Sequence, residues 1–429
     1  MLGNDVIIRK KLIFNIFNLN ILKMNNAIRN INKYLKPTPL TYNKRLSDTY
    51  GCNVYLKRED LQEVRSFKIR GALNKILYET NKKNYKNIVC ASAGNHAQGV
   101  AYSGKLLDIN THIFVPEVTP LQKYERIEHF GGKSCNIYKF GTNFDECLEK
   151  AMEFSNNNDS LFVHPFDDLN VINGQGTIGS EICQKISPDI MLASIGGGGL
   201  VSGLLSFKKY SNKLYDVYGV EPCDAASMKV SLINNDVCTL DKIDTFVDGA
   251  SVKTVGKSTF DICKKHNLKT FTASNGRICN EMISLYQEDG IIAEPAGALS
   301  ICGLDNLEKK SIEGKNVICI LSGGNNDMLR YPEILDKNMR YLKLKHYFII
   351  NFSQQKGELK IFMEKILPKG TDITRFEYIK KNNKNSGSVL LGIEVDTPNK
   401  INILTNNMHK YNFNYIEINE NDLLYSFLI

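Results

Sequence analysis

Residues 66–71 read Ser-Phe-Lys-Ile-Arg-Gly, and they separate the apolar run 54–56 from the helical pattern of residues 71–80. A lysine at the start of a helix is most often a solvated surface charge. In an apolar helix entry it can instead be withdrawn from water, which lowers its pKa and makes its amine nucleophilic toward carbonyl groups. Lys68 is therefore a candidate catalytic residue, with a surface lysine as the alternative.

Strands and helices alternate on both sides of this stretch, from residue 38 to about residue 329. The short apolar runs that indicate buried strands are 54–56, 88–90, 111–115, 190–192, 217–220 and 317–321. Such alternation predicts an α/β fold with parallel sheets that carry helices on both faces. Ligands bind beyond the carboxyl ends of such strands. The residues that directly follow the strands are therefore the candidate site residues.

One candidate segment follows the strand at 88–90 and opens a helix. It consists of Ser92, Ala93, Gly94, Asn95 and His96. Small residues at a helix start leave backbone N–H groups free beside the positive end of the helix dipole, which suits a carboxylate. The alternative is a tight turn capped by Asn95, in which His96 is a structural hydrogen-bonding residue.

A glycine run follows the strand that begins at residue 190 and precedes a helix. It consists of Gly196, Gly197, Gly198 and Gly199, with Leu200 after them. Backbone amides in such a run can surround a phosphate closely. The run lacks both the nucleotide triphosphate pattern and the spaced glycines of a dinucleotide site. A flexible turn is the alternative.

Two further candidates are polar residues near strand or helix ends. Ser322 follows the strand 317–321, where its hydroxyl can bind a ligand nitrogen or cap the next turn. Glu294 precedes Pro295, and it is either an acid that lines a cleft or the start of a helix.

The pattern changes near Tyr341. The segments 346–352, 374–381, 389–396 and 415–419 read as strands, and 357–367 and 398–410 read as helices. Their order is β-α-β-β-α-β, the ferredoxin-like unit. Residues 336–345 are predicted to connect this second module to the first.

Composition excludes several classes of protein. The 429 residues are 42% hydrophobic and 23% charged, as in globular proteins. The net charge is +8, but residues 1–36 hold seven lysines and arginines against one aspartate, which is +6 of that total. The other 393 residues therefore carry only +2, too little positive charge for a nucleic-acid-binding surface. No apolar run reaches the ~18 residues of a membrane span. The 11 scattered cysteines suit a reducing, cytoplasmic location.

The N-terminal segment 1–24 is of doubtful status. Its basic residues and interrupted apolar core resemble a targeting signal only weakly, so we expect an extension that precedes the true start, with Met24 as a candidate start. Import into an organelle remains an open alternative.

Together and in this order, the motifs resemble the fold-type II family of pyridoxal phosphate enzymes, and within it the threonine dehydratases. The resemblance runs from about residue 35 to the C-terminus and includes the stretches at 66–72, 92–99, 196–200, 293–298 and 321–325. It implies a tryptophan synthase β-like catalytic domain over 25–335, with a small subdomain at about 61–164. It also implies a single ACT-like regulatory domain over 345–429, as in the short biosynthetic enzymes.

The resemblance also implies roles for the candidate residues. Lys68 would bind pyridoxal 5'-phosphate covalently and later remove the α-proton of L-threonine. The glycine run with Leu200 would hold the phosphate, Asn95 the ring hydroxyl, and Ser322 the pyridine nitrogen. The segment from Ser92 to His96 would hold the substrate carboxylate. A neutral Ser322 favours β-elimination, so the expected products are 2-oxobutanoate and ammonia.

The ACT-like module implies control by an amino acid. The expected effector is isoleucine, with valine as a second candidate, acting on a dimeric or tetrameric homo-oligomer, with the turn at 355–359 as the candidate effector edge. A purely structural dimerisation module is the alternative. No metal is assigned: Glu221 near Ala225 resembles the cation site of some relatives, but Ser227 stands where they often place an acid.

Three alternative functions remain to be weighed. A serine-preferring or catabolic dehydratase or racemase of the same family differs by a pocket change worth only ~1–3 kcal/mol. An inactive amino-acid sensor conflicts with the intact motifs. A nicotinamide-dependent dehydrogenase lacks the spaced glycines that it requires.

Overall fold

The computed structural model describes residues 22–378, 385–419 and 421–429. They form two compact units, divided between Asp327 and Met328. Most of the predicted extension, residues 1–21, lies outside the described residues. So do residues 379–384, which hold the end of the predicted strand 374–381 and the start of the hairpin turn after it.

Strands and helices are numbered along the chain. The strands are β1 (Leu40–Tyr42), β2 (Asn53–Arg58), β3 (Asn87–Ala91), β4 (Asn110–Val115), β5 (Cys135–Lys139), β6 (Leu161–Phe162), β7 (Ile190–Ser194), β8 (Asp216–Pro222), β9 (Lys269–Ala273), β10 (Asn316–Leu321), β11 (Lys345–Ser353), β12 (Thr371–Tyr378), β13 (Ser386–Val395) and β14 (Asn414–Glu417). The helices are α1 (22–34), α2 (Lys44–Tyr50), α3 (Lys68–Thr80), α4 (Asn95–Leu107), α5 (Leu121–Gly131), α6 (Phe144–Asn157), α7 (Leu169–Lys185), α8 (Gly199–Ser211), α9 (Ser227–Asn234), α10 (Lys257–Lys265), α11 (Asn275–Gln287), α12 (Pro295–Cys302), α13 (Lys309–Ile312), α14 (Tyr331–Tyr341), α15 (Glu358–Ile361), α16 (Asn399–Lys410) and α17 (Asp422–Leu428).

The first unit contains two sheets. The larger has six strands in the order β1-β2-β10-β7-β8-β9, and all its pairs are parallel except β1 with β2. The smaller has the order β5-β4-β3-β6, and all its pairs are parallel. Every residue of β7 is buried. A strand covered on both faces requires apolar residues throughout, which is why these strands read as continuous apolar runs.

The candidate residues lie where strands end and helices begin. Asn95 opens α4 shortly after β3, and Gly199 opens α8 shortly after β7. Ser322 directly follows β10, and Lys68 opens α3. The smaller sheet spans residues 87–162, so it supplies Asn95, while the larger sheet supplies the glycine run and Ser322.

Helix α1 is part of the first unit. Met24 is buried, and its Cε lies 2.9 Å from the place where a Cβ on Gly176 would stand. Tyr210 donates a hydrogen bond to the side chain of Asn25. Met24, the last residue of the predicted 1–24 extension, therefore packs into the fold.

The second unit contains an antiparallel sheet in the order β12-β13-β11-β14, with α16 and the segment 358–366 packed on it. This order is that of a ferredoxin-like unit. The sequence did not predict α17, whose Tyr425 packs with Tyr347 of β11.

The division between the units precedes the predicted end of the catalytic domain at residue 335. Helix α14 belongs to the second unit, where Asp336 accepts hydrogen bonds from Tyr347 at 3.0 Å and Tyr425 at 2.6 Å. Residues 336–345, predicted as a connector, are therefore mostly the end of α14. Across the described ranges, no helix has the length and apolar character that crossing a membrane requires.

Candidate active site

The predicted site residues of the first unit meet at one cavity of 920 Å³. Those that line it are Lys68, Ser92, Ala93, Gly94, Asn95, His96, Gly196, Gly197, Gly198, Gly199, Leu200 and Ser322. They are contributed by both sheets, so the cavity lies between the two halves of this unit. Binding sites at such junctions are typical of α/β proteins.

The amine of Lys68 is largely withdrawn from water. Its Nζ donates a hydrogen bond to the carbonyl of Pro165 at 3.0 Å. Burial lowers the pKa of Lys68 to about 8, although the charge of Glu294 opposes the shift. The unprotonated fraction of the amine near neutral pH is therefore far larger than the ordinary pKa of 10.5 would allow, as a nucleophile or base requires. The alternative of a surface lysine does not fit this environment.

The glycine run forms the start of α8 as a close-fitting backbone cradle. Gly198 has a φ of +92°, a conformation that favours glycine. A Cβ on Gly197 would lie 2.3 Å from the ring of Phe166. The first N–H groups of α8 have no acceptor within the helix and stand at its positive end. This cradle suits a phosphate.

The start of α4 forms a second group of free backbone donors. Gly94 is the N-cap residue and makes no side-chain cap, so Asn95 does not cap the helix as the alternative proposed. Nε2 of the His96 ring lies 2.8 Å from the carbonyl oxygen of Val163. Burial lowers the pKa of His96 to about 3, so its ring is neutral. The hydrogen bond and the neutral ring favour the structural role weighed above, and the backbone N–H groups in the first turn of α4 have no acceptor within the helix.

Four side chains form a continuous series of hydrogen bonds in the cavity wall. Arg126 donates to Asn325 Oδ1 at 3.0 Å, Asn325 Nδ2 donates to Asn95 Oδ1 at 2.7 Å, and Asn95 Nδ2 donates to Glu294 Oε1 at 2.7 Å. We call this series the amide relay. Burial raises the pKa of Glu294 to about 7.

Ser322 presents a neutral hydroxyl to the cavity. Its Oγ lies 3.0 Å from the carbonyl oxygen of Ala296 and 3.2 Å from Oγ of Ser194. Rotation of the hydroxyl can redirect its proton to a ligand. Both neighbours are neutral groups. Ser322 therefore offers a ligand an uncharged hydroxyl.

Sequence comparison places this architecture among known proteins. Residues 31–323 match the family model of pyridoxal-phosphate dependent enzymes, and residues 338–428 match the C-terminal regulatory domain of threonine dehydratase. A biosynthetic L-threonine dehydratase of Staphylococcus aureus is 43% identical over 95% of this chain and 97% of its own length. The corresponding protein of Halalkalibacterium halodurans is 46% identical over 91% and 95%.

The chain belongs to the threonine dehydratase family of pyridoxal-phosphate-dependent enzymes.

A solved structure agrees with this assignment. The processed form of threonine deaminase isoform 2 from Solanum lycopersicum is 34% identical and superposes with a TM-score of 0.70. The alignment covers 75% of this chain and 88% of that one. The predicted fold class and cofactor are therefore confirmed.

The residues of the cavity fit the family's cofactor. The start of α8 offers donors to a phosphate, in a space from which a Cβ at Gly197 is excluded by Phe166. Lys68 offers a partly unprotonated amine to the aldehyde, and Phe67 lines the same cavity. Asn95 and Ser322 offer neutral hydrogen-bonding groups to the ring.

The region of Glu221 differs from a typical cation site. Its carboxylate accepts hydrogen bonds from the backbone N–H groups of Met228 at 2.7 Å and Lys229 at 2.9 Å. In the part of the chain that the structure describes, no group of three or more His, Cys, Asp or Glu side chains is placed to hold a metal ion.

Sequence reasoning missed part of the cavity wall. It left Glu294 undecided, and it did not select Arg126, Asn325 or Phe166. Asn325 lies within the quoted 321–325 stretch, so its position after β10 was an available signal. Arg126 lies on α5, where a lone arginine in a polar helix gives no such signal.

Proposed function

We propose that this enzyme dehydrates and deaminates L-threonine to 2-oxobutanoate and ammonia with pyridoxal 5'-phosphate, as the first step of isoleucine biosynthesis. The observation that carries the proposal is the position of Lys68. Its amine, with a pKa lowered to about 8, shares one cavity with the free N–H groups at the starts of α4 and α8. The names of the related proteins, biosynthetic L-threonine dehydratases, support threonine as the substrate.

The chain supplies two separate anion sites. The start of α8, with Gly196 to Gly199 and Leu200, would hold the cofactor phosphate. The start of α4, from Ser92 to His96, would hold the carboxylate of threonine. Each uses backbone N–H groups and a helix dipole, so neither places a mobile cation beside the reacting atoms.

When bound, pyridoxal phosphate stabilises negative charge at the α-carbon of the amino acid. Lys68 would take the α-proton, because burial lowers its pKa to about 8 and so makes the unprotonated amine accessible near neutral pH. Its hydrogen bond to the Pro165 carbonyl orients Nζ within the cavity. Asn95 and Ser322 would fix the position of the ring.

We further propose that the second unit senses isoleucine, with valine as a second candidate, in a dimeric or tetrameric enzyme. The match of residues 338–428 to a threonine dehydratase regulatory domain supports control by a small molecule. The turn at 355–359 is the candidate effector edge, where Gly357 has a φ of +93°. Effector binding would lower activity by favouring one of two states of the oligomer.

The test is release of 2-oxobutanoate from L-threonine with added pyridoxal phosphate, across a range of L-isoleucine concentrations and with L-serine as the comparison substrate. We expect turnover of threonine that isoleucine suppresses. Turnover indifferent to isoleucine would indicate a catabolic enzyme or another effector, and preference for serine would indicate the alternative substrate. Inert threonine and serine would indicate an amino-acid sensor.

Lys68→Ala provides the matched control for the chemistry. It should abolish both the visible absorbance of the covalently bound cofactor and turnover. Substantial remaining turnover would contradict the role of Lys68.

A further inference from the structure

The orientation of the Asn325 amide follows from its neighbours. Arg126 can only donate hydrogen bonds, so the atom that faces it at 3.0 Å must be the oxygen of Asn325. The nitrogen of Asn325 faces three acceptors, Asn95 Oδ1 at 2.7 Å, the Val64 carbonyl at 2.8 Å and Gln98 Oε1 at 3.0 Å. The reverse orientation would set oxygen against oxygen.

The orientation of the Asn95 amide follows in turn. Because Asn325 presents an N–H, the atom of Asn95 that faces it must be Oδ1. The nitrogen of Asn95 then faces Glu294 at 2.7 Å, which uses one of its two N–H groups. Asn95 therefore retains one N–H for a ligand, while its oxygen already accepts a hydrogen bond from Asn325.

The side chain of Arg126 donates to an amide oxygen rather than to a carboxylate. Burial and the nearby Arg65 lower its pKa, although the charge of Glu294 opposes the shift. Within the described ranges, the side-chain oxygen that it meets is that of Asn325, and no carboxylate forms an ion pair with it. A partly buried cation that is hydrogen-bonded to an amide is unfavourable for stability alone. This placement is accounted for if the guanidinium orients the amide.

The relay also connects the two halves of the unit. Arg126 and Asn95 belong to α5 and α4, which pack with the smaller sheet, whereas Asn325 and Glu294 adjoin the larger sheet. Contact between the two halves therefore completes the series.

We propose that Arg126 is a positioning residue that, through Asn325, fixes the Asn95 amide with a free N–H for the ring hydroxyl of the cofactor. The proposal rests on the proposed function only in assuming that the cofactor binds here. A fixed donor at this point stabilises the ionised form of the ring hydroxyl, because a carboxamide oxygen there would repel it.

The experiment measures the dissociation constant of pyridoxal phosphate and the pH dependence of its visible absorbance, without threonine. Arg126→Met should weaken binding about tenfold, the change that corresponds to one hydrogen bond involving a charged group. It should also alter the pH at which the bound absorbance changes. Arg126→Lys, which can still donate to Asn325, should restore most of both properties. Lys242→Gln removes another cation from the cavity wall and should change neither.

A double-mutant cycle separates action through Asn325 from a direct effect. Asn325→Ala alone should weaken binding at least as much as Arg126→Met, and the double variant should be no weaker than Asn325→Ala. The proposal would be overturned if the effects of the two substitutions on the dissociation constant were additive. It would also be overturned if Arg126→Met left cofactor binding unchanged, or if Lys242→Gln weakened it equally. Asn325→Ala also tests the relay if Arg126→Met does not fold.

The two proposals fail differently. A protein that binds the cofactor and shows the expected cycle, yet does not turn over threonine, contradicts the proposed function alone. A threonine dehydratase whose cofactor binding is indifferent to Arg126 contradicts the relay alone.

Discussion

Replacing Arg70 with methionine tests whether a buried charge cluster holds the helix that begins at Lys68. The guanidinium of Arg70 is fully buried and pairs with two carboxylates. It donates to Glu59 at 2.7 and 2.8 Å and to Glu181 at 2.6 and 2.9 Å. Lys57 also pairs with Glu181, so two cations balance two anions. We call these four residues the charge cluster.

The expected loss of stability follows from this balance. Methionine keeps much of the apolar volume of Arg70 but leaves one buried carboxylate without compensation. Breaking a buried ion pair in this way costs about 3–5 kcal/mol of unfolding free energy. Because Glu59 would then be the uncompensated acid, Arg70→Met with Glu59→Gln should recover part of the loss. Lys44→Met, which removes one partner of the exposed pair with Asp48, should cause no measurable change.

The loss should depend on pH. Burial alone favours the neutral form of Glu59, but Arg70 holds its pKa below the ordinary value. In the parent protein, the stability from this group is therefore present above the unfolded pKa near 4.5 and is lost as pH falls below it. In Arg70→Met, burial raises the folded pKa, so the folded variant gains stability relative to its unfolded state as pH falls. The difference in unfolding free energy between the parent protein and Arg70→Met should therefore become smaller as the pH falls from 7 to 5.

The assay is urea unfolding of the cofactor-free protein, followed by far-ultraviolet circular dichroism because the chain has no tryptophan. A loss below about 1 kcal/mol would refute the reasoning, because breaking a buried ion pair costs several times more. So would a double variant less stable than Arg70→Met, or a difference that widens as pH falls.

Two further predictions concern the cavity. The rate at which the cofactor-free protein binds pyridoxal phosphate, followed by stopped-flow absorbance, should rise with pH around a midpoint of about 8, because only the unprotonated amine of Lys68 attacks; a midpoint near the ordinary 10.5 would contradict its burial. Gly197→Ala should raise the dissociation constant of the cofactor at least about fivefold, because its Cβ meets the Phe166 ring and overpacking costs ~1–3 kcal/mol. Phe166→Leu in the same protein should restore much of the affinity, and no restoration would exclude the steric cause.

The sequence predicted the elements that have a local signature. Strands buried on both faces appear as continuous apolar runs, so β4 (Asn110–Val115) and β10 (Asn316–Leu321) were recognisable. The order of elements likewise indicated the ferredoxin-like unit. Helix α17 (Asp422–Leu428) was missed because it is short and because its Tyr425 packs against Tyr347 of β11, a residue far from it in sequence.

The polar interactions of the site could not be predicted in the same way. The hydrogen bond between Asn325 and Asn95 joins residues 230 positions apart, and that between Asn95 and Glu294 joins residues 199 apart. Such pairs have no periodicity, since their partners are set by the packing of the two sheets. Arg70 and Glu181 in the charge cluster are 111 positions apart and were unpredictable for the same reason.

Burial lowers the pKa of Lys68, and the charge cluster and the amide relay limit the negative charge that could raise it again. In the charge cluster, Arg70 and Lys57 compensate the carboxylates of Glu59 and Glu181, so neither acid is left unpaired near the start of α3. On the other side, burial raises the pKa of Glu294 to about 7, so this acid provides only part of a full negative charge near neutral pH. Its carboxylate also accepts a hydrogen bond from Asn95 Nδ2, the next side chain of the amide relay. Lys68 therefore lacks a strong anionic partner, and burial decides its protonation. An enzyme that needs an unprotonated lysine beside bound anions requires both arrangements, because an unscreened acid near Lys68 would keep its amine charged.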